Sequence, residues 1–229
     1  LDRLGLGERK IITVDMLGDG IQARCMSALE KHGIIKSIDD TTASEIALDR
    51  EGRDAAKSIV YQRLVADKLT VLLNISQDDA RALMDQATFV VNRQGRVKNA
   101  ITKDGLHIAS PRLGDGGLSL TDDGAKVLHK LRTAPAPFTL DSQFRMATVG
   151  EGPAWVVVDD DAEPFVRQGR NVFHGFVLAV DPWIRPSQTC LVVNKKGELL
   201  GHGLSNGTVD EFCGFKKGIA VKTRGGISQ

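Results

Sequence analysis

The sequence is poor in cysteine, has no long apolar run and carries almost no net charge. Each shortage removes a class of protein. Three cysteines (Cys25, Cys190, Cys213) at wide spacing make neither an even disulfide framework nor a CxxC pair, which points to a reducing compartment and buried thiols. No apolar stretch approaches the roughly 18 to 20 residues that a membrane-spanning helix needs, and the N-terminus lacks the charged-then-apolar pattern of a secretory signal. The reading is a cytoplasmic protein with no membrane partner. Thirty basic residues against twenty-nine acidic ones leave a net charge of +1, so no global field draws the chain to nucleic acid and any basic patch has to be local. His32, His107, His129, His174 and His202 have no second ligand at the spacing of zinc motifs, and read as surface histidines. The acidic run from Asp39 to Asp54 reads as a solvated helix face, with no paired-carboxylate site.

What is present is enough apolar residue, 41% of 229, to bury one or two cores across two or three small units. The chain begins at Leu1 rather than Met, as a piece of something longer would. Residues 1–87 alternate strand and helix. Lys10 to Leu17 is β-branched and apolar, Gly18-Asp19-Gly20 turns the chain, and Ile21, Met26, Ala28 and Leu29 begin a helix that stops at Gly33. An amphipathic helix is predicted over Asp54 to Ala66, with Ala55, Ile59, Leu64 and Val65 on its apolar face and Tyr61 beside them. LTVLLNIS at 69–76 is strand or helix by its apolar run alone, and Asp78 and Asp79 open a further helix.

Over 88–138 the period changes to two. FVVN, GRVKNAIT and LHIASPRL are strands joined by glycine turns at 93–95 and 103–105. Thr121 is placed to cap a helix whose apolar side is Ala125, Val127, Leu128 and Leu131. APAPF at 134–138 removes donors and favours an extended connector, so a boundary falls there. In 139–229, AWVVVDD is a buried strand, AEPFVRQG a short helix closed by Gly169, and VFHGFVLAV, TCLVVN, LLGHGLS and GIAVKTR are further strands, with a hairpin at KKGE. Closing them into a small barrel removes exposed edges. The fold class is α+β: a small α/β N-terminal unit, a β-rich middle unit with one helix, and a C-terminal pseudo-β-barrel.

Two motifs suggest catalysis and fail on context. Gly203-Leu204-Ser205-Asn206-Gly207 matches GxSxG, but the last histidine, His202, precedes the serine. Gly18-Asp19-Gly20-Ile21-Gln22-Ala23 matches GxGxxA with Asp39 and Asp40 about twenty residues on, yet no run of β-α-β units follows to build a dinucleotide site. No catalytic residue and no cofactor is assigned. The informative feature is local charge. From Phe165 onward, nine Lys and Arg stand against four Asp and Glu. Arg167 and Arg170 flank Gly169, Lys216 and Lys217 precede Gly218, and Lys222 and Arg224 lie two apart on the last strand, where residues two apart share a face. Glycine lets a backbone N–H approach a phosphate, and phosphate contact is the natural use of such a patch.

These residues carry a resemblance. EPFVRQGRNVF, FVLAVDPWIRPSQTCLVVNKKGELLGHG and FKKGIAVKTR resemble the PUA domain, an RNA-binding pseudo-barrel of archaeal tRNA-modifying enzymes. The order is similar to the C-terminal part of archaeosine tRNA-guanine transglycosylase. AAKSIVYQRLVADKLTVLL at 55–73 and GRVKNAITKDGLHIASPRLGDGGLSLTDDGAKVL at 95–128 are similar to the domains preceding its PUA domain. The resemblance implies that Arg167, Gly169, Arg170, Lys217, Gly218, Lys222 and Arg224, with Lys216 beside them, surround a groove for the tRNA acceptor stem and its 3′ end. Phe173 is a core residue or stacks on an unpaired base, and Arg96, Lys98 and Arg112 are weaker candidates for contact with the tRNA body. Two departures matter. Arg63-Leu64 follows Tyr61-Gln62 where the family has Phe-Gly, and the family's catalytic barrel, aspartates and zinc cysteines have no counterpart here. The implied role is a non-catalytic tRNA-binding subunit or region working with a catalytic transglycosylase subunit. The alternatives are a general PUA-type RNA-binding or ribosome-associated protein, the accessory region of archaeosine synthase, and a nucleotide-dependent enzyme using the GDG turn.

Overall fold

The computed structural model describes residues 50–85, 87–132 and 152–228. The strand at 10–17, the GDG turn, the helix after it and the APAPF connector lie outside the described residues. The chain divides into two compact units, residues 1–60 and 61–229. Helix α1 (Arg50–Leu73) begins in the first and runs into the second. The ambiguous LTVLL stretch is therefore helix. Its buried residues Val65, Ala66, Leu69 and Leu73 recur at helical spacing, whereas Leu64, expected inside, is 40% exposed. Asn74, at φ 52, ends the helix in the left-handed region that asparagine tolerates. Helix α2 (Gln77–Asp85) starts with the expected Asp78 and Asp79 in its first turn. Ser76 caps it, its Oγ accepting from the Asp79 N–H at 3.1 Å.

A four-stranded antiparallel meander follows: β1 (Ala87–Val91), β2 (Val97–Thr102), β3 (His107–Pro111) and β4 (Leu118–Leu120), paired in that order. The turns at 93–95 and 103–105 fall where expected. Strand β4 was not anticipated, because three residues show no period. Helix α3 (Asp122–Leu131) closes the sheet, and Thr121 is its cap, accepting from the Gly124 N–H at 3.1 Å. A Cβ on Gly124 would stand 1.9 Å from the Ile108 carbonyl oxygen, so glycine is what lets the first turn of α3 seat on β3.

The C-terminal part is a six-stranded near-barrel of β5 (Trp155–Val158), β6 (Val172–Phe173), β7 (Val177–Val180), β8 (Thr189–Val193), β9 (Leu199–Ser205) and β10 (Ile219–Gly226). Its order is β6-β10-β9-β8-β5-β7. Only β5 and β8 pair parallel within it. Two short helices are added, α4 (Glu163–Arg167) and α5 (Val209–Gly214). The second was missed although its capping box, Thr208 with Glu211, is written in the sequence. VFHGFVLAV is not one strand: a 3-10 turn at His174–Phe176 separates β6 from β7.

The apolar strands WVVV and TCLVV are buried on both faces, which accounts for their unbroken hydrophobicity. Val156, Val158, Cys190 and Val192 point into the barrel with Val166, Leu200 and Phe212. Trp155, Val157, Leu191 and Val193 point the other way, into one core with Leu69, Met84, Ile108 and Leu128. Burial pushes the Cys190 thiol up to about 12, while Cys213 is exposed.

Polar links cross the same wall. Arg132 and Asp181, both fully buried in side chain, pair at 2.8 Å. The Arg132 guanidinium also donates to the Pro153 carbonyl at 2.6 Å and lies 4.4 Å from the centre of the Trp155 ring. Burial lowers the Arg132 pKa and the charge and hydrogen bond of Asp181 oppose it, so the carboxylate holds the cation in place. Replacing Arg132 by Met should lower the unfolding free energy by about 3–5 kcal/mol, because Asp181 loses its buried counter-charge. Urea denaturation measures this, and adding Asp181→Leu should restore much of the loss. In the same assay Gly124→Ala should cost about 1–3 kcal/mol, against a neutral Gly214→Ala, where an added Cβ meets nothing within 4 Å.

Candidate nucleic-acid interface

The glycine between two arginines sits at the end of α4. Gly169, at φ +79, donates its N–H to the Val166 carbonyl at 2.8 Å, and Arg170 donates to the Phe165 carbonyl at 3.0 Å. These two bonds make a Schellman helix end, which requires the left-handed conformation. The Gly169 N–H, expected at a phosphate, thus closes the helix. Arg167 is likewise tied inward. Its guanidinium reaches Glu163 Oε1 at 2.7 and 2.9 Å and the Ile227 carbonyl at 3.0 Å. The Arg167 hydrogen bond holds the Glu163 carboxyl below its ordinary range. Arg167 thereby ties the residue after β10 to α4.

The other candidates gather along the β6–β10 ribbon. Phe173 pairs with Ile219 and Val172 with Val221, and the His174 N–H donates to the Gly218 carbonyl at 3.0 Å. Lys216, Lys217 and Gly218 therefore meet Phe173 at one end of the ribbon, all exposed. At the other end the Thr223 hydroxyl donates to the Arg170 carbonyl at 2.9 Å, and the Thr223 N–H donates to Asn171 Oδ1 at 3.1 Å. This brings Arg170 beside Arg224. Lys222 lies between the two ends, opposite Leu204 of β9. The register shifts between Thr223 and Gly225, so Arg224 occupies a bulge, and simple alternation does not set it on the face of Lys222 as expected. Gly218 has φ +94.

Phe173 is 48% exposed, so it is not the core residue that its apolar neighbours suggested. Phe176, three residues on, and Phe215, just before Lys216, are also exposed, and Arg170 lies 5.5 Å from the centre of the exposed Phe165 ring. In the middle part, Arg96 and Lys98 are exposed on the β1–β2 turn and on β2, in the other sheet. Arg112 is held by Asp115 at 3.0 Å and by the Ser187 carbonyl at 2.8 Å, which makes it a bridge to the near-barrel.

Two histidines expected at the surface are buried. His202 on β9 pairs with Asp122 at the start of α3 at 2.8 Å. His174 stands edge-on to Phe212 and Phe215, and its Nδ1 has no partner among the described residues. Neither was selected by sequence, since no spacing marks a buried histidine. The GxSxG serine, Ser205, is also buried, and its hydroxyl donates to the Gly207 carbonyl at 2.8 Å, closing its own turn. Among the described residues no group of three His, Cys, Asp or Glu is disposed to hold a metal, and no helix is long and apolar enough to cross a membrane.

The near-barrel matches the PUA domain over residues 154–227, and the sheet and helices before it match the patch-forming domain C2 of tRNA-guanine transglycosylase over residues 77–135. Curated proteins similar to this chain include tRNA-guanine(15) transglycosylases. That of Thermococcus onnurineus is 38% identical over 154 residues, covering 66% of this chain and 23% of the relative. That of Pyrococcus abyssi is 43% identical over 125 residues, covering 55% and 18%. The chain thus spans about a fifth of the length of the curated relatives it matches. Among solved structures, a hypothetical protein from Pyrococcus horikoshii shares the fold with a TM-score of 0.50, at 18% identity over 73% of this chain and 90% of its own.

The His174 environment gives a pH prediction. Burial lowers its pKa from the ordinary 6.5, with the Glu211 charge opposing. The folded chain therefore keeps the ring neutral at pH values where the unfolded chain is protonated. Stability is full above about pH 6.5 and falls as pH drops through that value, until the folded ring also titrates. Urea midpoints at about pH 7.5 and about pH 5.5 should differ more for the wild type than for His174→Gln.

Proposed function

We propose that this chain is a non-catalytic tRNA-binding subunit or region that positions the tRNA acceptor stem and 3′ end for guanine exchange by a catalytic transglycosylase partner in archaeosine formation. The observation that carries it is the β6–β10 ribbon, which has the exposed Lys216, Lys217 and Phe173 at one end, Arg170 and Arg224 at the other and Lys222 between. Cations along a strand pair follow a phosphate backbone, and an exposed ring beside them offers a surface to an unpaired base. Gly218 leaves room for the backbone at one end, while Arg167 and Gly169 hold the rim. Arg96 and Lys98 extend the contact toward the tRNA body on this reading, with Arg112 fixing the loop between. The similarity to tRNA-guanine(15) transglycosylases supports the link to guanine exchange on tRNA, and the cytoplasm is where the proposed pair works. A division into units at 1–87, 88–138 and 139–229 belongs to the same reading.

The double replacement Lys217→Ala, Lys222→Ala should weaken tRNA binding and reduce the slope of log K against log salt by about one for each phosphate that is no longer neutralised. Filter binding across a salt series measures it, and an unchanged slope removes these lysines from the interface. Stoichiometric co-purification with a catalytic transglycosylase subunit separates this role from that of a free-standing RNA-binding protein, which needs no such partner.

A further inference from the structure

Away from the ribbon, a groove of about 440 Å³ opens between the end of α1, the β3–β4 turn and the loop before β8. That volume suits one small planar ligand. Its floor is apolar, with Leu72, Leu73 and Leu118. One wall is Trp183, 37% exposed, with the Arg185 guanidinium 5.7 Å from its ring centre. The opposite demand comes from Gln188. Its amide nitrogen donates to the Leu72 carbonyl, which fixes the side chain and leaves Oε1 buried with no partner among the described residues. A buried acceptor without a donor is costly, so the wall is short of one N–H.

The lining residues are tied down by hydrogen bonds. The Trp183 N–H donates to Asp181 Oδ1 at 2.8 Å, and the other oxygen of that carboxylate is the one that pairs with Arg132. Arg185 is fixed by the Pro182 and Ile184 carbonyls at 2.9 and 2.8 Å. Ser187 is held at φ 60, a left-handed conformation that a serine adopts only when its surroundings impose it. The Arg112 bond to its carbonyl and the Ser187 N–H bond to Ser205 at 2.8 Å supply that constraint. Asp115 neutralises Arg112, so the charge remaining at the rim is that of Lys68, bound to the Gly116 carbonyl, and Arg185.

We infer that this groove is a second RNA subsite, which takes one unpaired nucleobase. The ring stacks on the Trp183–Arg185 platform and gives an N–H to Gln188 Oε1, while the flanking phosphates of the strand face Arg185 and Lys68. The inference rests on the RNA-binding reading for the identity of its ligand, but on different residues. An apolar slot with a cationic rim, a stacking surface and one unmet acceptor fits a base better than an acidic or aliphatic peptide.

The chain has two tryptophans, and Trp155 is only 3% exposed, so acrylamide quenching of the full chain reports on Trp183. A short single-stranded RNA of mixed sequence should shield Trp183, and a blunt RNA duplex should not. Trp183→Leu should weaken binding of the single strand about tenfold, Gln188→Leu about threefold, and neither should change binding of the duplex. Absence of shielding at saturating single strand overturns the subsite without any variant having to fold. Shielding by an acidic peptide and by no RNA overturns it in favour of a protein ligand. If Lys217→Ala, Lys222→Ala weakens both RNAs while Trp183 stays unshielded, the groove fails and the ribbon stands. If the lysine pair is inert while shielding and the Trp183 effect hold, the groove stands and the ribbon fails.

Discussion

Strands β5 and β8 form a wall with two insides. Every residue of WVVV and TCLVV is buried, alternate side chains going to the barrel and to the core shared with the C2-type sheet. No position on either strand can be polar without an internal partner, and the parts on either side cannot slide without opening both cores. The hydrogen bonds across the wall reflect this. Arg132 reaches Asp181, His202 reaches Asp122, and Thr189 donates to the Leu118 carbonyl. His129 stacks on Trp155 with ring centres 5.5 Å apart and contacts the Gly197 carbonyl at 2.8 Å. Each is a polar group whose partner comes from the other side.

That rigidity bears on binding. The ribbon and the groove are built on elements tied to the wall, one through β10 and β9, the other through Asp181 and the loop into β8. A scaffold that does not rearrange loses little freedom when a large, charged ligand settles on it. The two places also offer different chemistry. On the proposed reading the ribbon presents cations to a nucleic-acid backbone, and the groove presents a flat apolar face with an acceptor. A folded RNA with unpaired nucleotides has both features to offer.

Much of the architecture was legible in local pattern. The two-residue period over 88–113, the glycine turns, Thr121 as a cap and the continuous apolar strands all carry their cause within a few residues. The failures were where local pattern is neutral. LTVLL fits strand or helix equally, and packing of Leu69 and Leu73 against the sheet decides for helix. VFHGFVLAV looks continuous, yet a 3-10 turn centred on Gly175 breaks it. At the proposed site, charge clustering marks a stretch of sequence but does not say which of its cations are free. Arg167 and Arg112 look like Lys217 in sequence, and only their carboxylate and carbonyl partners separate them.

The sequence by itself determined the class of fold, most of the strands and the basic character of the last third, because periodicity, turn chemistry and composition act over a few neighbours. Tertiary structure alone decided which side chains meet across long separations: Arg132 with Asp181, Arg112 with Ser187, Gln188 with Leu72. Those pairings depend on how strands far apart in the chain are stacked. Burial then turns a polar residue from a surface ornament into a fixed contact, and that is a property of the packed molecule.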